Sequence, residues 1–214
     1  MYVALEGIKG SGKSSVLACI ESRLATMGVR HRVLRPYAFQ GADSLLERAY
    51  LRTGQHWPDW AVARFYGWRS DCRVAAIPKR AGLLIGDRSV ITSYVTRWNN
   101  ADPVAGMATV DRLEQRIALP DKVIFLDTSV ELALRRISHR PARRYGCRDE
   151  QPERLRSAAM AYAKLSADPA QFGLDYVEWH VVDASRSVEL VAADVLRRIV
   201  SLAEAPSFNS EIEA

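Results

Sequence analysis

The eight residues Gly7-Ile8-Lys9-Gly10-Ser11-Gly12-Lys13-Ser14 constrain this chain more than any other stretch. Glycine admits backbone conformations closed to other residues and lets the chain approach an anion closely. Successive backbone N–H groups then line a concave nest, and the helix that follows adds its positive end. The pattern G-x-x-x-x-G-K-S has meaning only between a strand and a helix. Tyr2–Glu6 is a short apolar run that reads as a buried strand. Lys13–Met27 places Val16, Leu17, Ile20 and Leu24 at helical spacing, and Gly28 stops it. A chance match would not bring both neighbours with it. The implied ligand is ATP with Mg²⁺. Gly7, Lys9, Gly10, Ser11, Gly12, Ser14 and Ser15 are the expected ATP contacts, Lys13 reaches the β- and γ-phosphates, and the Ser14 hydroxyl faces the metal.

Strand and helix patterns then alternate. Arg30–Pro36, Gly82–Gly86, Lys122–Asp127 and Tyr176–Asp183 read as four further strands. Helices are expected over Ser44–Thr53, Trp60–Ile77, Val104–Leu119, Val130–His139, Gln151–Ala167 and Val188–Ala203. Alternation of this kind gives a mostly parallel sheet covered on both faces. The expected fold is therefore α/β, a P-loop three-layer sandwich around a five-stranded parallel sheet. One domain spans residues 1–204, and Ala205–Ala214, polar and acidic with few anchors, is expected to be a disordered tail.

Ligands of an open α/β sheet gather at the carboxyl ends of its strands. Arg35 closes the second predicted strand and Asp87-Arg88 follow the third. Asp87 is placed to assist Mg²⁺, and Arg88 to neutralise phosphate charge. Asp87 could instead cap a helix beginning near Ser89, with Arg88 in a surface ion pair. Eight arginines lie between Arg135 and Arg156, and Pro141 and Gly146 interrupt the helical pattern among them. An arginine-rich loop between two helices, about residues 138–152, suits a lid that excludes water and supplies positive charge, with Arg140, Arg143 and Arg144 as its catalytic candidates. The competing reading is a solvated basic face or a nucleic-acid patch. The formal charge of +5 does not choose between them.

Composition removes other classes. The three cysteines, Cys19, Cys72 and Cys147, are widely spaced and lack a histidine partner, so neither a disulfide framework nor a zinc site is indicated. Reduced cysteines suit a cytoplasmic protein. No basic leader or long apolar stretch is seen, and no membrane or nucleic-acid partner is expected.

Taken together, these segments resemble the thymidylate kinase family, over nearly the whole chain. Glu6 through Ser15 is similar to the family's phosphate loop with its preceding glutamate. Arg35-Pro36 falls at the family's acceptor-binding Arg-Glu-Pro segment, and Phe65-Tyr66-Gly67-Trp68-Arg69 where the family has a base-stacking phenylalanine and a phosphate-contacting arginine. Asp87-Arg88 with Thr92-Ser93 matches the Asp-Arg motif. Leu119-Pro120-Asp121, Phe125-Leu126-Asp127, Glu131, Ala133-Leu134 and Arg136 match the fourth strand and lid helix, and Val182-Asp183-Ala184-Ser185 the last strand and the loop flanking adenine. The resemblance implies transfer of the ATP γ-phosphoryl group to a small nucleotide, a nucleoside 5′-monophosphate. It implies acceptor contacts from Arg35, Phe65, Arg69, Arg88, Ser93, Thr96 and Arg97, adenine-side contacts from Ala184 and Arg186, and a homodimer.

Three departures fall on the acceptor side. Lys9 stands where the family usually has an acidic residue that meets the acceptor sugar, and a lysine accepts no hydrogen bond. Thr96-Arg97 replace a tyrosine-glutamine pair, and no glutamate follows Arg35. The acceptor need not be thymidine monophosphate. A deoxynucleoside kinase and a P-loop regulator or nucleic-acid ATPase are the rival readings.

Overall fold

Five consecutive apolar or buried positions make Tyr2–Glu6 (β1) a strand that can be covered on both sides, and it takes the centre of the sheet. The computed structural model describes residues 1–34, 49–50, 52–53, 56–58, 60–62, 64–65, 82–113, 118–140 and 148–203. Within them β1 leads through the glycine loop to Lys13–Thr26 (α1), then His31–Leu34 (β2). Leu83–Asp87 (β3) is followed by Val90–Thr96 (α2) and Pro103–Leu113 (α3). Lys122–Asp127 (β4) precedes Val130–Ser138 (α4), a 3₁₀ turn Arg148–Glu150 and Pro152–Ala167 (α5). A second 3₁₀ turn, Pro169–Phe172, leads to Glu178–Asp183 (β5) and Val188–Ala203 (α6). The strand order is β2-β3-β1-β4-β5 and every pairing is parallel, as the alternation predicts.

Period-two alternation along the strands sorts side chains to opposite faces. Val3 and Leu5 of β1, Leu83 and Ile85 of β3, and Ile124 and Leu126 of β4 pack with Val16, Leu17, Ile20 and Leu24 of α1 and Val191, Val195 and Ile199 of α6. Val123 and Phe125 face the other way, against Ile91 and Val95 of α2, Val110 of α3 and Leu155, Tyr162 and Leu165 of α5. The β4 backbone thus separates two apolar cores, which makes the three layers. The Asp121 side chain accepts from the Tyr2 amide at 2.6 Å and fixes where β4 starts beside β1.

Most boundaries fall within a residue of the sequence expectation, and the larger differences have physical reasons. The expected helix from Val104 begins at Pro103, and residues 118–120 at its expected end are not helical. Pro120 disfavours helix at the residue before it. β5 starts at Glu178 and not Tyr176, because the Val177 amide is committed to a turn bond with the Leu174 carbonyl. α2 was not assigned a span by periodicity: at seven residues it is too short to show one. Ser89 starts it by accepting from the Ile91 amide, so the capping role considered for Asp87 belongs to Ser89. The expected helices over Ser44–Thr53 and Trp60–Ile77 fall mostly outside the described residues, as do Arg35, Arg69, Arg143, Arg144, Cys72, Cys147 and the tail from Ala205.

Candidate functional site

The loop between β1 and α1 has its glycines where only glycine serves. Gly7, Gly10 and Gly12 have φ of 143°, 86° and 94°. A Cβ on Gly10 would lie 2.5 Å from the Ala133 carbonyl oxygen, and one on Gly7 would lie 2.8 Å from that of Leu126. The loop is therefore pressed against β4 and α4 as well as curled on itself. Its closing residue, Lys13, is buried, and its ammonium donates to the Gly7 and Ile8 carbonyls, each at 2.7 Å, and to Ser11 Oγ at 3.0 Å. Burial, then the nearby Arg88 guanidinium, push the Lys13 pKa well below its usual value, against the opposing pull of Glu6 and Asp87. Ser14 and Ser15 are exposed on the first turn of α1.

Next to the loop, β3 runs parallel to β1 with Asp87 opposite Leu5. Asp87 is half-buried at this strand end. The Ser14 hydroxyl and the Asp87 carboxylate are hard oxygen donors, the kind Mg²⁺ takes in ones and twos while phosphate oxygens and water complete its shell. They fit that ion. Arg88 follows with φ of 74°, the single non-glycine positive φ among the described residues. Its Nη1 donates to the Gly7 carbonyl at 3.3 Å and to Thr92 Oγ1 at 3.2 Å, which aims the guanidinium at the loop.

Beneath both lies Glu6, fully buried. Its Oε1 accepts from the Ser89 amide at 2.6 Å and the Ser89 hydroxyl at 2.7 Å, and its Oε2 from Thr92 Oγ1 and the Tyr162 hydroxyl, each at 2.7 Å. Four donors offset the desolvation of a buried carboxylate. Burial first, then the charge of Glu6, hold the Tyr162 phenol far above its usual pKa, so it remains a donor. This network locks the end of β1, the start of α2 and the middle of α5 together.

On the opposite side α4 supplies Arg136. It donates to the Ser11 carbonyl at 3.4 Å and the Ala184 carbonyl at 3.0 Å, bridging the phosphate loop to the loop after β5. Arg186, expected on the adenine side, pairs with Asp194 and donates to the Asp183 carbonyl at 3.1 Å. Of the eight arginines the resemblance placed Arg136 on the lid helix, and α4 packing on Gly10 is what brings it to these two carbonyls. Arg140, exposed two residues past the end of α4, lies 3.8 Å from Glu150, which joins the two roots of the arginine-rich segment.

The acceptor candidates divide. Thr96 and Arg97, at the end of α2, line a cavity of about 280 Å³ with Val62, Trp98, Gly106, Thr109, Asp149 and Arg154. Gly106 is required in its wall, since a Cβ there would meet the Arg97 carbonyl at 2.6 Å. Thr96 donates to the Thr92 carbonyl at 2.7 Å, and Ser93 is buried inside α2. Phe65 is buried and stacks on Tyr50, with centroids 4.4 Å apart and planes at 21°. One face of the ring expected to meet the base is therefore taken by Tyr50. Lys9 leans away from the loop to pair with Asp149 at 3.5 Å. Asp149 carried no sequence signal: it is one acid among arginines, brought to the cavity by the turn before α5.

Residues 5–195 match the family profile described as Thymidylate kinase. A thymidylate kinase of Leifsonia xyli subsp. xyli is 29% identical over 209 residues, covering 93% of this chain and 94% of that protein. A putative thymidylate kinase of Aeropyrum pernix is 28% identical over 209 residues, covering 92% and 94%. Among solved structures, a deoxyadenosine kinase from M. mycoides with products dCMP and dCDP bound aligns with a TM-score of 0.64 at 20% identity, over 94% of this chain and all of that one. The same enzyme with bound dATP gives 0.65 at 16% identity, a likeness that concerns the fold. With the family profile running from β1 into α6, the chain belongs to the thymidylate kinase family of nucleotide kinases.

Proposed function

We propose that this protein transfers the γ-phosphoryl group of ATP to a nucleoside 5′-monophosphate, giving ADP and the diphosphate. The observation that carries the reading is the pairing of Lys13, folded into a cradle of glycines, with Arg88, aimed at the same Gly7 carbonyl from the next strand. Two cations from separate elements meet at the rim of one phosphate nest. Arriving phosphates draw the Lys13 ammonium from its carbonyl partners to their own oxygens, and the loop amides receive the rest. Ser14 and Asp87 would hold Mg²⁺, which would supply charge neutralisation for the phosphates. The acceptor phosphate is already an anion, so no general base is needed; positioning and electrostatics suffice. Arg35 and Arg69 join Arg88 on the acceptor phosphate, while Arg140, Arg143 and Arg144 supply lid charge. Phe65, Ser93, Thr96 and Arg97 form the acceptor side, and Ala184 and Arg186 the adenine side. We further propose a cytoplasmic homodimer with a single domain over residues 1–204, and no nucleic-acid or membrane partner.

Base preference is expected to depart from thymine. Arg97 is a fork of donors with no acceptor, and cannot receive the N3–H of thymine as an amide does. The test is a panel of nucleosides and their monophosphates with ATP, read by product mass. Monophosphates should be converted far better than nucleosides. Conversion of nucleosides with monophosphates inert would promote a deoxynucleoside kinase, the name carried by the structural neighbours. Hydrolysis of ATP stimulated by nucleic acid would point instead to a regulatory ATPase.

A further inference from the structure

We infer that Asp149 is the residue that recognises the sugar of the acceptor, by accepting a hydrogen bond from a sugar hydroxyl. The inference rests on the nucleotide-acceptor reading above. Its basis is position. Asp149 pairs with Lys9 of the phosphate loop at 3.5 Å and also lines the cavity walled by Thr96 and Arg97. One carboxylate therefore spans the junction between the phosphate cradle and the cavity. A nucleotide whose phosphate meets Arg88 and the loop, and whose base enters the cavity, has its sugar at that junction.

The chemistry of the lining points the same way. Arg97 and Arg154 are donors only, and the Val62 and Trp98 side chains offer no acceptor. Thr96 commits its hydroxyl proton to the Thr92 carbonyl. Asp149 is the sole carboxylate among these lining residues, and a carboxylate accepts from an alcohol with a strength that neutral acceptors do not match. Lys9 holds it from the loop side and leaves part of the side chain exposed: 29% of Asp149 and 23% of Lys9 remain accessible. Lys9 in the loop cannot accept from a sugar, and Asp149 provides that function from a different element. The pair forms a charge-inverted arrangement, cation on the loop and acid beyond the lid segment.

The experiment measures binding and turnover of ribo-, 2′-deoxy- and 2′,3′-dideoxynucleoside monophosphates of each base, for the wild type, Asp149→Ala and Lys9→Met. The wild type is expected to bind the hydroxylated ligand about ten- to a hundredfold more tightly than the dideoxy ligand, the range of a charge-assisted hydrogen bond. Asp149→Ala should abolish that discrimination by weakening the hydroxylated ligand alone. Lys9→Met keeps the carboxylate and should keep the discrimination, although it breaks the same ion pair. Retained discrimination in Asp149→Ala, none in the wild type, or equal loss in both variants would overturn the inference and reduce the pair to a structural tie. Calorimetric binding reports the hydroxyl contact whether or not phosphate moves. Discrimination without turnover of any monophosphate would leave the sugar contact standing and remove the proposed reaction.

Discussion

Arg88 carries two demands that conflict. An L-residue at φ of 74° is strained by about 1–2 kcal/mol, and in that backbone conformation the guanidinium reaches the Gly7 carbonyl. Arg88→Gly should therefore be more stable than Arg88→Ala by about 1 kcal/mol, measured by urea unfolding, while both lose most of their turnover. Equal stability would mean the backbone there is unstrained. Lys13 presents a different test. Lys13→Ala should abolish phosphoryl transfer with the circular dichroism spectrum intact. Its depressed pKa also has a sign. Between the lowered folded value and the ordinary lysine value the native state binds fewer protons than the unfolded chain, so the Lys13 contribution to stability rises with pH across that window. Nucleotide phosphates favour the ammonium. ATP binding should take up a proton at alkaline pH, seen as a dependence of calorimetric heat on buffer ionisation enthalpy that vanishes in Lys13→Ala.

At the scale of elements, α4 shapes the phosphate loop. Its Ala133 carbonyl abuts Gly10, and its Arg136 ties Ser11 to Ala184. Gly10→Ala must displace α4 or the loop, since a Cβ 2.5 Å from a backbone oxygen cannot be absorbed by side-chain motion. The expected cost is on the order of 1–3 kcal/mol of stability together with at least a tenfold fall in kcat/KM for ATP. Arg136→Ala should raise KM for ATP more than it lowers kcat, because its partners belong to the resting cradle. The lid triple replacement of Arg140, Arg143 and Arg144 should do the reverse, because charge delivered at transfer acts in the transition state. Steady-state kinetics in which both sets shift only KM would deny the lid a catalytic role.

Across the whole molecule, Glu6 joins the sheet to one helical layer. Tyr162→Phe removes one of its four donors without opening a cavity of any size. A loss of about 1–3 kcal/mol in unfolding free energy is expected, since a buried charge is left short of a partner. The effect should extend to catalysis, because Glu6 also holds Ser89 and Thr92, which flank and position Arg88. Thermal melting that matches the wild type would show that water replaces the phenol.

The sequence alone determined the sheet and the phosphate loop. Apolar runs, glycine spacing and the lysine-serine pair are local signals, and local sterics translate them directly into a strand, a nest and a helix. The same signals placed Asp87 and Arg88 at a strand end before any coordinates. Only tertiary packing decided the rest. Helix α2 is too short for its periodicity to be read, and its start depends on Ser89 meeting a buried Glu6 from β1. The bridge from Arg136 to Ser11 and Ala184 exists because α4 docks on Gly10, and Asp149 was one acid in a basic stretch until the turn before α5 set it against Lys9. Long-range pairings leave no periodic trace, because contacts across more than a hundred residues obey the geometry of packed layers and not the spacing of neighbours along the chain.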